Sequence, residues 1–275
     1  MSVYENVPAE GFLVFWDRTN LNTTIFTQKA ILIITGAWHV PQHYHKVIHI
    51  FESKGIRVLA PCLPTNNGAV PPNRGIGDDI ALIKSIAAEE AAKGTHLYVL
   101  AHSYGGMIAT AALAKFTITP GSRVGGVASI VFMAAFVPLE GQSLAGMFGG
   151  QFPPYLATIP ETQTIEWSDP IDHLYNDLPP EEARWAESLR VAHSHAAQYT
   201  PIECEIAAWR VFPVSYLLCE NDQAMPPFVQ ESMIETLRGN KADFQTFRCE
   251  GSHSLFLSLL LKVAEVVLSV MGIGE

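Results

Sequence analysis

Ser103 stands in Ala101-His102-Ser103-Tyr104-Gly105-Gly106, after an apolar run and before a helical pattern. Small residues two before and two after a serine permit a tight strand-to-helix turn. Such a turn lifts the hydroxyl clear of the sheet and sets it at a helix N-terminus. The same spacing suits a serine that merely caps a helix, so the chemistry depends on the partners. A serine hydroxyl is a poor nucleophile near neutrality and needs a base within hydrogen-bond reach. His253, in Glu250-Gly251-Ser252-His253-Ser254, follows the last expected strand on a glycine-containing loop and is the candidate. The base in turn needs an acid to fix its tautomer and stabilise the imidazolium. Asp222, at the end of Ser215-Tyr216-Leu217-Leu218-Cys219-Glu220-Asn221-Asp222, is the first choice, with Glu220 and Glu140 as the other positions for an acid.

Acyl transfer also needs donors for the tetrahedral oxyanion. The backbone N–H of Tyr104, directly after the nucleophile, is one. The second is expected in Thr35-Gly36-Ala37-Trp38-His39, where Gly36 allows a sharp bend and the Ala37 N–H can point into the site. Trp38, Phe136, Tyr155, Trp167, Trp185 and Trp209 are candidate aromatic walls for a substrate, and His193 and His195 candidate pocket residues. Of these, Trp38, Phe136 and Trp209, with His102, are taken as substrate-binding. His45 and His49 share a helix face, but no acid of the zinc-protease pattern accompanies them, so they read as surface or half-buried histidines.

The elements that must position these groups are legible as apolar runs. Residues 30–34, 56–60, 97–101, 127–134 and 214–218 lack strict alternation, as expected for strands buried on both faces, and 244–247 is a weaker last strand. Helical patterns at 42–54, 77–93, 104–115, 227–238 and 253–271 fall between them. The alternation implies a mostly parallel sheet covered by helices on both faces. Residues 12–16 and 23–26, around the turn 17–20, read as a hairpin. The segment 137–211 has no clear central strand and is rich in Pro, Trp and His, so it reads as a helical cap inserted above the sheet.

The 275 residues suit one α/β domain with an insertion, and nearly half of them are apolar. The net charge of −10, with no basic run, argues against nucleic-acid or anionic-membrane partners. Lys262 and Glu265 interrupt the apolar C-terminal stretch, which therefore reads as a packed helix rather than a membrane span. The four cysteines are far apart and form no C-x-x-C pair, as in a reduced, cytoplasmic protein. Met1 to Gly11 lack the pattern of a secretory signal. No feature specifies an oligomeric state.

Five stretches carry a family resemblance: Gly36 to His39, Ala101 to Gly106, Val131 to Pro138, Cys219 to Pro227, and Gly251-Ser252-His253. They resemble the plant methylesterases, hydroxynitrile lyases and bacterial pyrethroid-hydrolase-like esterases of the α/β-hydrolase superfamily. The match in the cap is thinner, chiefly Leu174-Tyr175-Asn176-Asp177 through Trp185. The resemblance implies the α/β-hydrolase fold, with a core formed by 1–136 and 212–275 and a helical cap over 137–211. It also implies a triad of Ser103, Asp222 and His253, in the chain order of that fold, with Ala37 and Tyr104 as oxyanion donors. Departures matter too. The lyases carry a lysine directly after the histidine and a threonine near the oxyanion loop; here Ser254 and Gly36 stand in those places, which disfavours cyanide chemistry. Thr35 replaces the usual histidine before the glycine, and Ala101 the usual first glycine of the serine motif.

The leading expectation is a serine hydrolase of a small, largely apolar carboxylic ester, lactone or thioester, needing no cofactor or metal. A second use of the same site is cyclisation or carbon–carbon bond chemistry in a biosynthetic pathway. A third, of another class, is a small-molecule receptor with a slow or vestigial triad.

Overall fold

The buried runs form a six-stranded sheet whose C-terminal rim collects the candidate residues. The computed structural model describes residues 28–118 and 124–274; the expected hairpin at 12–26 lies outside them. The chain forms β1 (Lys29–Ile34), α1 (His45–Ser53), β2 (Arg57–Leu59), α2 (Ile76–Ala92), β3 (His96–His102), α3 (Gly105–Ala112) and β4 (Gly126–Met133). The inserted segment holds α4 (Leu144–Met147), β5 (Leu156–Ile159), β6 (Thr164–Trp167), α5 (Pro170–Leu174), α6 (Pro180–Leu189), β7 (His193–Ser194) and α7 (His195–Tyr199). Then come β8 (Val214–Cys219), α8 (Pro227–Gly239), β9 (Phe244–Cys249), α9 (Leu255–Ser258) and α10 (Leu260–Val270).

The strand order is β2-β1-β3-β4-β8-β9, and every pairing is parallel. The central strands are buried almost throughout, as a sheet covered by helices requires. α1 packs on α10 and α2 on α3. The chain reverses its direction of winding between β1 and β3, and a crevice opens beyond their C-terminal ends, the usual place for a ligand in an open parallel sheet. Turns at 54–56, 93–95 and 240–243 lie on the opposite rim.

Two expectations are corrected. The inserted segment is not purely helical: β5, β6 and β7 pair antiparallel into a small separate sheet. The β-branched Thr158, Ile159, Thr164 and Ile165 flank a turn in which Gln163 takes a φ of 58°, and this local hairpin outweighs the helical reading. The C-terminal pattern is also not one helix. It breaks at Leu259 (φ −115°, ψ 43°), leaving α9 a single turn whose Ser258 is bonded to the inserted segment. Among the described residues no helix is long and apolar enough to cross a membrane.

Candidate active site

β3 ends at His102, and Ser103 takes a φ of 52°. A non-glycine residue in this left-handed region is uncommon and strained. The surrounding backbone holds it there: the Ser103 N–H donates to Met133 O (3.3 Å), and its carbonyl accepts from the N–H groups of Gly106 (3.0 Å) and Phe136 (3.2 Å). Gly105 and Gly106 make the turn possible. A Cβ on Gly105 would lie 2.4 Å from Ile34 O, and one on Gly106 2.1 Å from Phe136 O.

His253 and Asp222 sit on neighbouring loops beyond β9 and β8. His253 Nδ1 lies 2.8 Å from Asp222 Oδ2, with both side chains buried. A carboxylate accepts, so Nδ1 carries the hydrogen and Nε2 is left as the basic nitrogen. Asp222 is itself fixed: Oδ1 accepts from the N–H groups of Ala224 and Met225, each at 2.8 Å. Gln230, fully buried on α8, donates to Met225 O (2.8 Å), Cys219 O (3.0 Å) and, at 3.3 Å, to Asp222 Oδ2, while its Oε1 accepts from the Cys219 N–H. The other acids are engaged elsewhere. Glu220 pairs with Arg248, and Glu140 binds Arg210 and the Ala207 N–H, which hold its carboxyl down at about 2.

The loop after β1 is held from three sides. Asn66, buried and on a different segment, donates from Nδ2 to Gly36 O (3.0 Å) and His39 O (2.8 Å). In a trans peptide the carbonyl and the following N–H point opposite ways, so holding Gly36 O toward Asn66 turns the Ala37 N–H away from it. Trp38, at a φ of 64°, donates from its indole to Ile165 O (2.8 Å), and its carbonyl accepts from the Val191 N–H (3.1 Å). Among the described residues, neither the Ala37 N–H nor the Tyr104 N–H is bonded to a protein acceptor.

Ser103, His253, Ala37 and Tyr104 line one cavity. Among the described residues, Ser103 Oγ and His253 Nε2 are committed to no other protein group, and no hydrogen bond joins them, a looseness common in sites without substrate. The remaining walls are largely apolar, including Trp38, Phe136, Phe148, Phe152, Trp167 and Met225; Gln198 is the polar exception. Trp38 and Phe136 are therefore where a wall residue was expected. His102 and Trp209 are not. The His102 ring points beneath the site, into the core, with no exposure. The Trp209 indole is consumed by a bond to Pro138 O (2.9 Å) under the Arg210 guanidinium. Of the other candidates, Trp167 lines the cavity and Tyr155 stacks on it, while Trp185 packs against His43 and His45 away from the cavity. His193 is buried behind Trp38 and Tyr104, and His195 stacks on Tyr199.

The profile of the alpha/beta hydrolase family matches residues 31–266. The chain belongs to this family. This alpha/beta hydrolase is 30% identical over 238 residues to "Alpha/beta hydrolase nvfD" of Aspergillus novofumigatus, a match spanning 83% of this chain and 91% of that one. Among solved structures it resembles a pyrethroid hydrolase from Sphingobium faniae JZ-2, with a TM-score of 0.68 and 18% identity over 89% of this chain and 97% of that one. It also resembles polyneuridine aldehyde esterase, with a TM-score of 0.69 and 19% identity over 89% and 100%. At these identities the two structures speak for the fold.

Four residues of the hydrolase site have no local sequence signature. Asn66 and Gln230 hold the two loops described above. Asp79, wholly buried on α2, accepts from the Thr65 N–H (2.9 Å), the Thr65 hydroxyl (2.7 Å) and the Tyr104 phenol (2.9 Å), under the turn that carries Ser103. Burial pushes its carboxyl up to about 6 against the pull of these donors. Asp177 reaches down from the inserted segment: Oδ2 accepts from the Ser252 N–H (2.9 Å) and the Ser258 hydroxyl (2.7 Å). Beside it, Asn176 donates to Asn221 O (3.0 Å). The only signal in the sequence was the thin resemblance around Leu174 to Asp177.

Proposed function

We propose that this protein hydrolyses a small, largely apolar carboxylic ester, lactone or thioester through an acyl-enzyme on Ser103. His253 Nε2 takes the hydroxyl proton as Ser103 Oγ attacks the carbonyl carbon. The N–H groups of Ala37 and Tyr104 receive the oxyanion. The bond to the leaving alcohol breaks as His253 returns the proton to it. Water, deprotonated by the same nitrogen, then releases the acid and restores the serine. Asp222 keeps the imidazole in the tautomer this cycle needs. The steps use these protein groups and one water.

One observation carries this reading: one largely apolar cavity is lined by Ser103, His253, Ala37 and Tyr104, the last two with N–H groups unbonded among the described residues, and His253 Nδ1 is bonded to Asp222. The names of the relatives, a pyrethroid hydrolase and an aldehyde esterase, point to the same class of chemistry. The walls favour apolar acyl or alcohol groups over charged ones, since an unpaired charge there would be expensive to bury. The test is a fluorophosphonate probe followed by mapping of the labelled residue, together with a panel of p-nitrophenyl esters. We expect label on Ser103, and in Ser103→Ala no label and turnover reduced at least about a thousandfold. Full esterase activity in a folded Ser103→Ala variant would overturn the proposal.

A further inference from the structure

His102 adjoins the nucleophile, yet its ring lies outside the cavity. Its Nε2 is 3.0 Å from the carbonyl oxygen of His253, and its Nδ1 is 2.7 Å from the hydroxyl of Tyr44. A carbonyl only accepts, so Nε2 bears the hydrogen. Nδ1 is then the acceptor, and the Tyr44 hydroxyl donates to it. The Tyr44 oxygen in turn accepts from the N–H of Gly36 (3.1 Å). Every bond in this chain has one direction: Gly36 N–H to Tyr44, Tyr44 to His102, His102 to the His253 main chain. Burial, reinforced by the neighbouring His253, keeps the His102 ring uncharged, which preserves the single tautomer the chain requires.

We infer that His102 is a positioning residue that locks the oxyanion loop and the loop carrying His253 into one rigid frame. This rests on the reading proposed above. The two ends of the relay are the parts of the site whose mutual placement sets the rate: the peptide preceding the Ala37 N–H and the backbone of the base. The ring cannot swing away from either. Phe256 packs on it edge-to-face at 5.0 Å and His39 at 5.6 Å, and the His253 ring lies 4.7 Å off. Gly36 is shaped to the same contact, since a Cβ there would come 2.8 Å from His102 Nδ1 and 3.1 Å from Ser103 Cβ. Any buried histidine needs partners for its ring nitrogens; here one partner is the main chain of the His253 loop, and the other, Tyr44, is itself bonded to the oxyanion loop.

Substitutions separate the two arms. His102→Gln can place an amide nitrogen near the site of Nε2 and keep the bond to the His253 carbonyl. His102→Asn can place a carbonyl oxygen near the site of Nδ1 and keep the acceptor for Tyr44. His102→Phe fills the space and keeps neither. The readout is inactivation by an alkyl fluorophosphonate, in which the bond from Ser103 Oγ to phosphorus forms, the P–F bond breaks and fluoride leaves, with kinact and KI measured separately. Thermal melts establish that each variant is folded. His102→Phe should lower kinact on the order of 100-fold with KI little changed, because small misplacements of reacting groups are costly. Gln and Asn should each recover part of that loss. Tyr44→Phe should lower kinact in the native background and add little to His102→Phe. If His102→Phe does not fold, Gln, Asn and Tyr44→Phe carry the test, each with kinact lowered about tenfold.

The inference is overturned if folded variants keep native kinact, if the loss falls on KI, or if Gln and Asn do no better than a folded Phe. Native protein that takes no label on Ser103 overturns the proposed function and this inference together. Label on Ser103 with indifferent His102 variants overturns this inference alone.

Discussion

Asp79 lies beneath the turn that carries Ser103 and accepts from the Tyr104 phenol. Its ordinary value is 3.8 and the fold lifts it to about 6, so the folded state binds the proton more tightly than the unfolded chain. The stability this confers is present below about pH 4 and is lost as pH rises to 6. The gap corresponds to about 3 kcal/mol. Relative to the native protein, Asp79→Asn should therefore gain stability between pH 4 and 6 and hold a constant difference above that; urea midpoints across the range would check it. An unchanged difference would mean that the carboxyl titrates normally. At this scale the sequence offers Ser103 and His253 as candidates through the short motifs that hold them, and Asp222 ahead of Glu220 and Glu140 through the family resemblance. Asn66, Asp79, Gln230 and the Tyr44–His102 relay act across the fold between segments remote in the chain. No local pattern announces them, and His102 looked like a pocket residue only because it adjoins the serine.

The elements differ in how plainly their residues declare them. β1, β3, β4 and β8 are buried on both faces, and an apolar run is the direct consequence. β5 and β6 have four residues each and mixed exposure, too short a stretch for a period of two to stand out. The break between α9 and α10 is hidden for the opposite reason, an apolar pattern that continues through it. The packing of α3 against the sheet yields a sharper expectation. The Cβ of Gly106→Ala would meet the Phe136 carbonyl oxygen, which is backbone and cannot step aside. We expect a loss of about 3 kcal/mol or more in urea unfolding, with the Ser103 turn displaced. A variant with native stability would show that α3 can retreat from the turn without cost.

Across the whole molecule, the inserted segment is bound to both loops of the proposed acid–base pair, through Asn176 to Asn221 and through Asp177 to Ser252 and Ser258. Asp177→Ala should lower unfolding free energy by about 1–2 kcal/mol, speed hydrogen exchange at the Ser252 amide and reduce turnover. Exchange at native speed would mean that the insertion rests on the core without holding it. The parallel sheet has a quieter consequence. It gathers the proposed reacting groups on one rim, while the turns at 54–56, 93–95 and 240–243 lie on the other. Drift at those turns is paid in folding alone, never in chemistry. A peptide tag grafted at 240–243 should travel with the enzyme as a passenger.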